Sequence, residues 1–219
     1  LYSRLVSLFN RMSPKRIDAS HSVIGASLVS RTLDKTAIAS CDALFAPFSS
    51  ECLYLLKTGK PVVYLSDATF RIMNGYYFRN LSKCSIHQGD MIESHSIGLA
   101  AEVIVSSDWA AESVVSDYGK DPANVHVLEF GANIDEKDIV PGTSGYEGHL
   151  DLLFLGVDWV RKGGSVAVEA CRWLNDNGIP STLHVAGIKD LPVEIRNLPY
   201  VDHVGFLNKN IPEDYQRLV

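Results

Sequence analysis

The sequence predicts an α/β protein made of two successive parallel-sheet units. Three observations carry this reading. Short apolar runs ending in Ser, Asp or Gly alternate with longer segments of helical periodicity, the alternation repeats along the chain, and it is interrupted once by a long polar stretch. Ala43 to Phe48 reads as a strand, Ser50 to Thr58 as a helix closed by Gly59, and Pro61 to Leu65 as the next strand. Glu102 to Ser106, Asp108 to Tyr118 with Gly119, and Val125 to Glu129 repeat that order. Residues 135–149 then lose all apolar period and fill with Asp135, Lys137, Pro141, Gly142, Gly145 and Gly148, as a linker does. Beyond it, Asp151 to Leu155, Gly164 to Asn177 with Gly178, Thr182 to Ala186 and Val201 to Phe206 read as strand, helix, strand and strand. Asn210, with Glu213 three residues on, resembles a capping box that opens a further helix. The expected domains are therefore 1–134, a linker 135–149, and 150–219.

With 219 residues, 46% of them hydrophobic, the chain can bury a substantial core. A net charge of -6 argues against a nucleic-acid partner, because such proteins need a basic face to displace phosphate counterions. The first 35 residues run the other way, with Arg4, Arg11, Lys15, Arg16, Arg31 and Lys35 against Asp18 and Asp34. The amphipathic segment Leu1 to Met12 admits peripheral contact with an anionic membrane surface, and packing on a sheet explains its apolar stripe equally well. Cys41, Cys52, Cys84 and Cys171 form no CxxC pair and read as buried free thiols of a reducing compartment. No apolar run reaches membrane-spanning length, so a cytoplasmic location is expected. The seven histidines show no metal-ligand spacing, and no metal is assigned. His126 and His184 read as satisfied strand histidines. The chain starts and stops in helix-like sequence, so both ends are expected to continue in a longer protein.

The segment from Leu152 to Gly164 carries the most chemistry. An apolar strand runs into Gly156, then a turn holding Asp158, Arg161 and Lys162, then Gly163 and Gly164 at the start of a helix. A helix N-terminus offers partial positive charge and unused N–H groups, glycines admit close approach, and the two cations supply charge, which together suit a diphosphate. A solvated basic turn is the competing reading. Asp67 ends the strand from Pro61 at a carboxyl edge, where α/β sheets place ligands, and reads equally as a helix cap. Tyr76, Tyr77 and Phe78 read as an acceptor-side wall or as core.

Gly156 followed by Lys162-Gly163 resembles the donor-binding turn of family 4 retaining glycosyltransferases of the GT-B fold, in which two Rossmann-like domains face a cleft. Gly131-Ala132-Asn133-Ile134-Asp135 resembles that family's Asn-Gly-Val-Asp turn, and Leu183 to Gly187 and Val204 to Leu207 resemble its second and third donor-domain strands. The resemblance covers roughly residues 40 to 219 and makes the second domain the first half of a donor domain.

It implies metal-independent transfer of a sugar, with retention, from a nucleotide diphosphate sugar to a glycan, lipid or small-molecule acceptor, and no cofactor. Lys162 and Arg161 would stabilise the departing diphosphate, and Asp67 would serve in the cleft. Gly131, Gly156, Asp158, Gly163, Gly164, Gly187 and Gly205 would form the donor seat, with Gly163 and Gly164 adding backbone donors. Val157 stands where the family has an Arg, which Arg161 would replace, and Ser66 stands where it often has a His. The family's two glutamates, eight positions apart, should lie beyond Val219, so the fragment alone is expected to be inactive. A nucleotide-sugar epimerase, which needs acid–base carboxylates in the cleft, and a non-catalytic sugar- or nucleotide-binding module of the same fold are the competing readings.

Overall fold

The structure, a computed structural model, describes residues 2–131, 148–208 and 210–217. It divides into two compact units, Leu1–Gly131 and Ala132–Val219. Apart from Gly148 and His149, the expected linker lies outside the described residues.

In the first unit, β1 (Leu44–Pro47), β2 (Val62–Ser66), β3 (Glu102–Val105) and β4 (Val125–Val127) form one parallel sheet in sequential order. Alternation along β2 and β3 buries Val62, Tyr64, Val103 and Val105 on one face. Leu53, Ile97, Ala110 and Val114 complete that core from the helices. Each large apolar side chain so buried contributes roughly 1.5–3 kcal/mol.

The helices of this unit are α1 (Tyr2–Met12), α2 (Val23–Ser30), α3 (Lys35–Ser40), α4 (Ser50–Leu53), α5 (Phe70–Met73), α6 (Lys83–Leu99) and α7 (Asp108–Ser116). Ser22, Asp34, Thr69, Ser82 and Ser107 cap α2, α3, α5, α6 and α7 by accepting backbone N–H bonds. Thr69, and not Asp67, thus caps the helix after β2. A polar lock joins α5, α6 and α7: Arg71 donates to both carboxylate oxygens of Asp90 (3.2 and 2.7 Å) and lies over the Tyr118 ring at 5.0 Å, and Tyr118 donates to Asp90 at 2.9 Å.

Several expectations are corrected. The helix after β1 ends at Leu53 and does not run to Gly59; the Tyr54 and Leu56 amides close it onto Ser50 and Leu53. Of the four cysteines only Cys171 is buried, and Cys84 is exposed. Val6 is the buried residue of α1, while Leu5, Leu8, Phe9 and Met12 are exposed, so the helix does not pack its apolar stripe on the sheet within the described residues. No helix of the described residues is long and apolar enough to cross a membrane.

The second unit holds β5 (Leu150–Leu155), β6 (Ser181–Ala186) and β7 (Val201–Gly205), again parallel and sequential, with α8 (Gly164–Asp176), α9 (Val193–Arg196) and α10 (Pro212–Gln216). Phe154, Leu183 and Val185 meet Val168 and Cys171 of α8 in its core. Gly178, at φ 77°, ends the chain's excursion after α8 in the left-handed conformation that glycine adopts without strain. The last helix departs from the expected capping box. Pro212 opens α10 after Ile211, and Asp214 accepts the Asn208 amide at 2.8 Å.

His126 donates to the Glu102 carboxylate at 2.7 Å on the edge of the first sheet. His184 stands on the exposed face of the second, bridging Asp151 and Asp202 at 2.9 Å each, which raises its pKa through those two hydrogen bonds. Both are satisfied strand histidines.

Candidate functional site

Two arrangements, one in each unit, carry chemistry. In the second unit every strand ends at a glycine. Gly156 follows β5 and donates its N–H to the Ala186 carbonyl at 3.1 Å; Gly187 follows β6 and donates to Gly205 at 2.8 Å. Gly187 and Gly205 have φ of 93° and 88°. A Cβ on Gly187 would lie 2.7 Å from the Gly156 carbonyl oxygen, so no other residue fits without moving the backbone. The result is a row of three side-chain-free residues along the carboxyl edge of the sheet, where parallel α/β sheets receive ligands.

Beside this row runs the turn into α8. The Asp158 carboxylate accepts the Arg161 N–H at 2.9 Å and its carbonyl accepts the Lys162 N–H at 3.0 Å. Gly163 and Gly164 donate to the Val160 and Trp159 carbonyls at 3.3 and 2.8 Å. Their amides are therefore engaged inside the turn, which corrects the expectation that they face a ligand. The first free turn of α8 begins instead at Ser165 and Val166, whose N–H groups precede the first intrahelical bond, Ala167 to Gly163. Among the described residues no side chain caps this helix. Gly163 forms its N-cap at φ 76° with open space around it.

Gly164 has a packing role: a Cβ there would stand 2.2 Å from the Trp159 indole, which lies across the start of the helix and against Phe154 at 5.1 Å. The two cations differ. Arg161 is half-buried, and its guanidinium lies 3.6 Å from Asp158, so part of its charge is already answered. Lys162 is exposed, and its methylenes cross Gly156, where a Cβ would sit 3.0 Å from Cγ. No ion pair among the described residues engages it. Val157 is 70% exposed and holds no charge against an anion.

In the first unit, Asp67 lines a cavity of about 300 Å³ at the carboxyl edge of β1 and β2. Phe48, Phe70, Tyr77 and Phe78 form its walls, and Tyr64, Ser66 and Glu93 its polar lining. Phe70 stacks on Phe78 at 5.1 Å and settles into α6 at Gly89, where a Cβ would strike the ring at 2.2 Å. Tyr76 and Tyr77 are about half exposed. Phe48 adopts φ 49°, a region bulky residues rarely enter.

Glu93 was not anticipated. It is 3% exposed, and the Tyr64 hydroxyl donates to its oxygens at 3.2 and 3.4 Å. Burial pushes its carboxyl from 4.5 up to about 7. His21 borders the same cavity, 5.3 Å from Phe70 and 5.1 Å from Phe78. Burial opposes its protonation, but the Asp18 carboxylate at 2.8 Å outweighs that and raises its pKa, while Asp18 itself is held far below the usual carboxylate range. The signal in the sequence was an acidic residue in line with the small residues Ser85, Gly89 and Ser96 of a helix. Gly131 is exposed, and a Cβ there would meet none of the described residues within 4 Å. Among the described residues no three His, Cys, Asp or Glu side chains are grouped to hold a metal ion.

No protein-family model and no curated protein matches the chain. Among solved structures it is similar to a protein assigned as a UDP-N-acetylglucosamine 2-epimerase from Listeria monocytogenes, with 16% identity, a TM-score of 0.45, and 87% of this chain and 53% of that one covered. It is also similar to MnaA of S. aureus in a structure with UDP, at 14% identity and TM-score 0.41, covering 92% of this chain and 53% of that one. The chain thus spans about half the length of these structures.

Proposed function

We propose that the second unit seats the diphosphate of a nucleotide sugar on the turn between β5 and α8, in an enzyme that acts on the sugar. The row Gly156, Gly187 and Gly205 carries this reading. It gives a bulky anion a bare strand edge beside an uncapped helix start and an outward lysine. Lys162 and the Ser165 and Val166 amides would hold the phosphates, and Arg161 would reinforce them to the extent that Asp158 releases it. The sequence resemblance favours sugar transfer to an acceptor, in which Lys162 would steady the charge growing on the leaving diphosphate.

Epimerisation is the second reading, and a specific observation favours it. Glu93, whose carboxyl titrates near neutrality, and the His21–Asp18 pair are acid–base groups of the kind that reaction needs. Calorimetry of UDP, GDP and ADP with the full-length protein tests the shared part: one of them should bind, and Lys162→Ala should weaken it. Binding of none sinks the reading. Proton NMR of UDP-N-acetylglucosamine with the protein separates the chemistries. Inversion at C2 without acceptor supports epimerisation, and UDP release that depends on an added acceptor supports transfer.

A further inference from the structure

We infer that the cavity of the first unit is a binding site for an uncharged, hydroxyl-rich ring of single-sugar size, gripped between aromatic faces and donating a hydroxyl to Glu93. The inference does not rest on the diphosphate seat, which lies in the other unit; it concerns the cavity whose Glu93 and His21 the epimerisation reading also invokes. About 300 Å³ lies at the small end of ligand pockets. Phe48, Tyr77 and Phe78 line it with aromatic rings, a class of side chain whose negative quadrupole suits the C–H face of a sugar ring.

Glu93 sets the polar end. A carboxylate has about four lone-pair sites, and among the described residues a single hydroxyl, that of Tyr64, meets it, at 3.2 and 3.4 Å. A ligand hydroxyl would complete it. Charge excludes anionic ligands: Glu93 and Asp67 both line the cavity, and its basic side chain, His21, is engaged by Asp18 at 2.8 Å. A phosphate or carboxylate would meet two carboxylates and no spare cation. The raised pKa of Glu93 agrees, for a carboxyl that takes up a proton near neutrality can both accept from and donate to a hydroxyl pair.

Saturation-transfer NMR on the full-length protein with methyl glucoside, methyl mannoside and methyl N-acetylglucosaminide tests this, with glucose 6-phosphate as the anionic control. At least one neutral glycoside should bind, and glucose 6-phosphate should bind at least about tenfold more weakly than the best of them. Glu93→Gln, which keeps the shape, should weaken the glycoside about tenfold, and Phe48→Ala, at a half-exposed position that does not decide folding, severalfold. Lys162→Ala should leave glycoside binding unchanged. No glycoside binding, glucose 6-phosphate binding as well as the glycosides, or full affinity in both Glu93→Gln and Phe48→Ala would overturn the assignment. Glycoside binding in a protein that takes no nucleoside diphosphate would leave this site standing while removing the proposed function.

Discussion

Gly187 faces the carbonyl of Gly156 so closely that a methyl group at its Cα would come within 2.7 Å of the oxygen. Contact of backbone on backbone leaves nothing flexible to yield, and φ 93° adds strain for any L residue. Gly187→Ala should therefore destabilise the second unit by roughly 1–3 kcal/mol. Denaturant unfolding read from that unit, with the first unit's transition unchanged, is the check. An unaltered midpoint would mean the strand ends are looser than the geometry implies.

The pairing of Gly164 with Trp159 calls for a double-mutant cycle. Gly164→Ala alone should cost roughly 1–3 kcal/mol, because the new Cβ meets the indole at 2.2 Å. In a Trp159→Ala background the same change should cost much less, giving a coupling above about 1 kcal/mol. Additive effects would show that the contact is not what fixes glycine at this position.

The two cations of the turn should separate in function. Lys162→Ala should weaken nucleoside diphosphate binding by roughly ten- to a hundredfold, as loss of one charge-assisted contact of about 1.5–3 kcal/mol does. Arg161→Ala should weaken it less, since its charge is shared with Asp158 at 3.6 Å in a partly exposed pair worth at most about 1 kcal/mol. Calorimetry on both variants decides, and a larger loss for Arg161→Ala would reverse the roles given to them.

Glu93 should make stability fall as pH rises. Its carboxyl titrates at about 7 in the fold and near 4.5 in the unfolded chain. Between those values the folded state binds more protons, so stability declines from pH 4.5 to about 7 and levels off above, by about 3 kcal/mol in all. Glu93 is faced by Tyr64, His21, Asp67 and Asp90. His21, also raised, adds a decline that starts only above its unfolded value of 6.5, while depressed Asp18 acts below pH 3.8. Denaturation curves at pH 5 and 7 for wild type and Glu93→Gln isolate the carboxyl. An equal slope in both proteins would remove Glu93 as its source.

The strands were legible because each is a short apolar run ending at a turn residue: β5 to β7 fall within a residue of their expected bounds. The turn from Gly156 to Gly164 was legible as a place, but its internal bonding was not. That Asp158 would claim the Arg161 amide and partly its guanidinium, and that Trp159 would lie on Gly164, depend on turn geometry that spacing does not encode. The cavity of the first unit was half seen, through Asp67, Tyr77 and Phe78. What hid the rest was α6. Its buried face is Ser85, Gly89, Glu93 and Ser96 as much as Ile92 and Ile97, so it lacks the apolar stripe by which helices are found. Those small residues make room for Phe70 and for the carboxyl beneath the cavity.

The indole resting on Gly164 also equips the protein with an optical gauge. Of its three tryptophans, Trp109 and Trp173 are 52% and 61% exposed, whereas Trp159 is partly shielded against the start of α8. Iodide should silence the first two, leaving an emission dominated by the one ring that touches the turn. Any molecule that settles on that turn would then shift the colour of the remaining light, so occupancy could be followed in unlabelled protein.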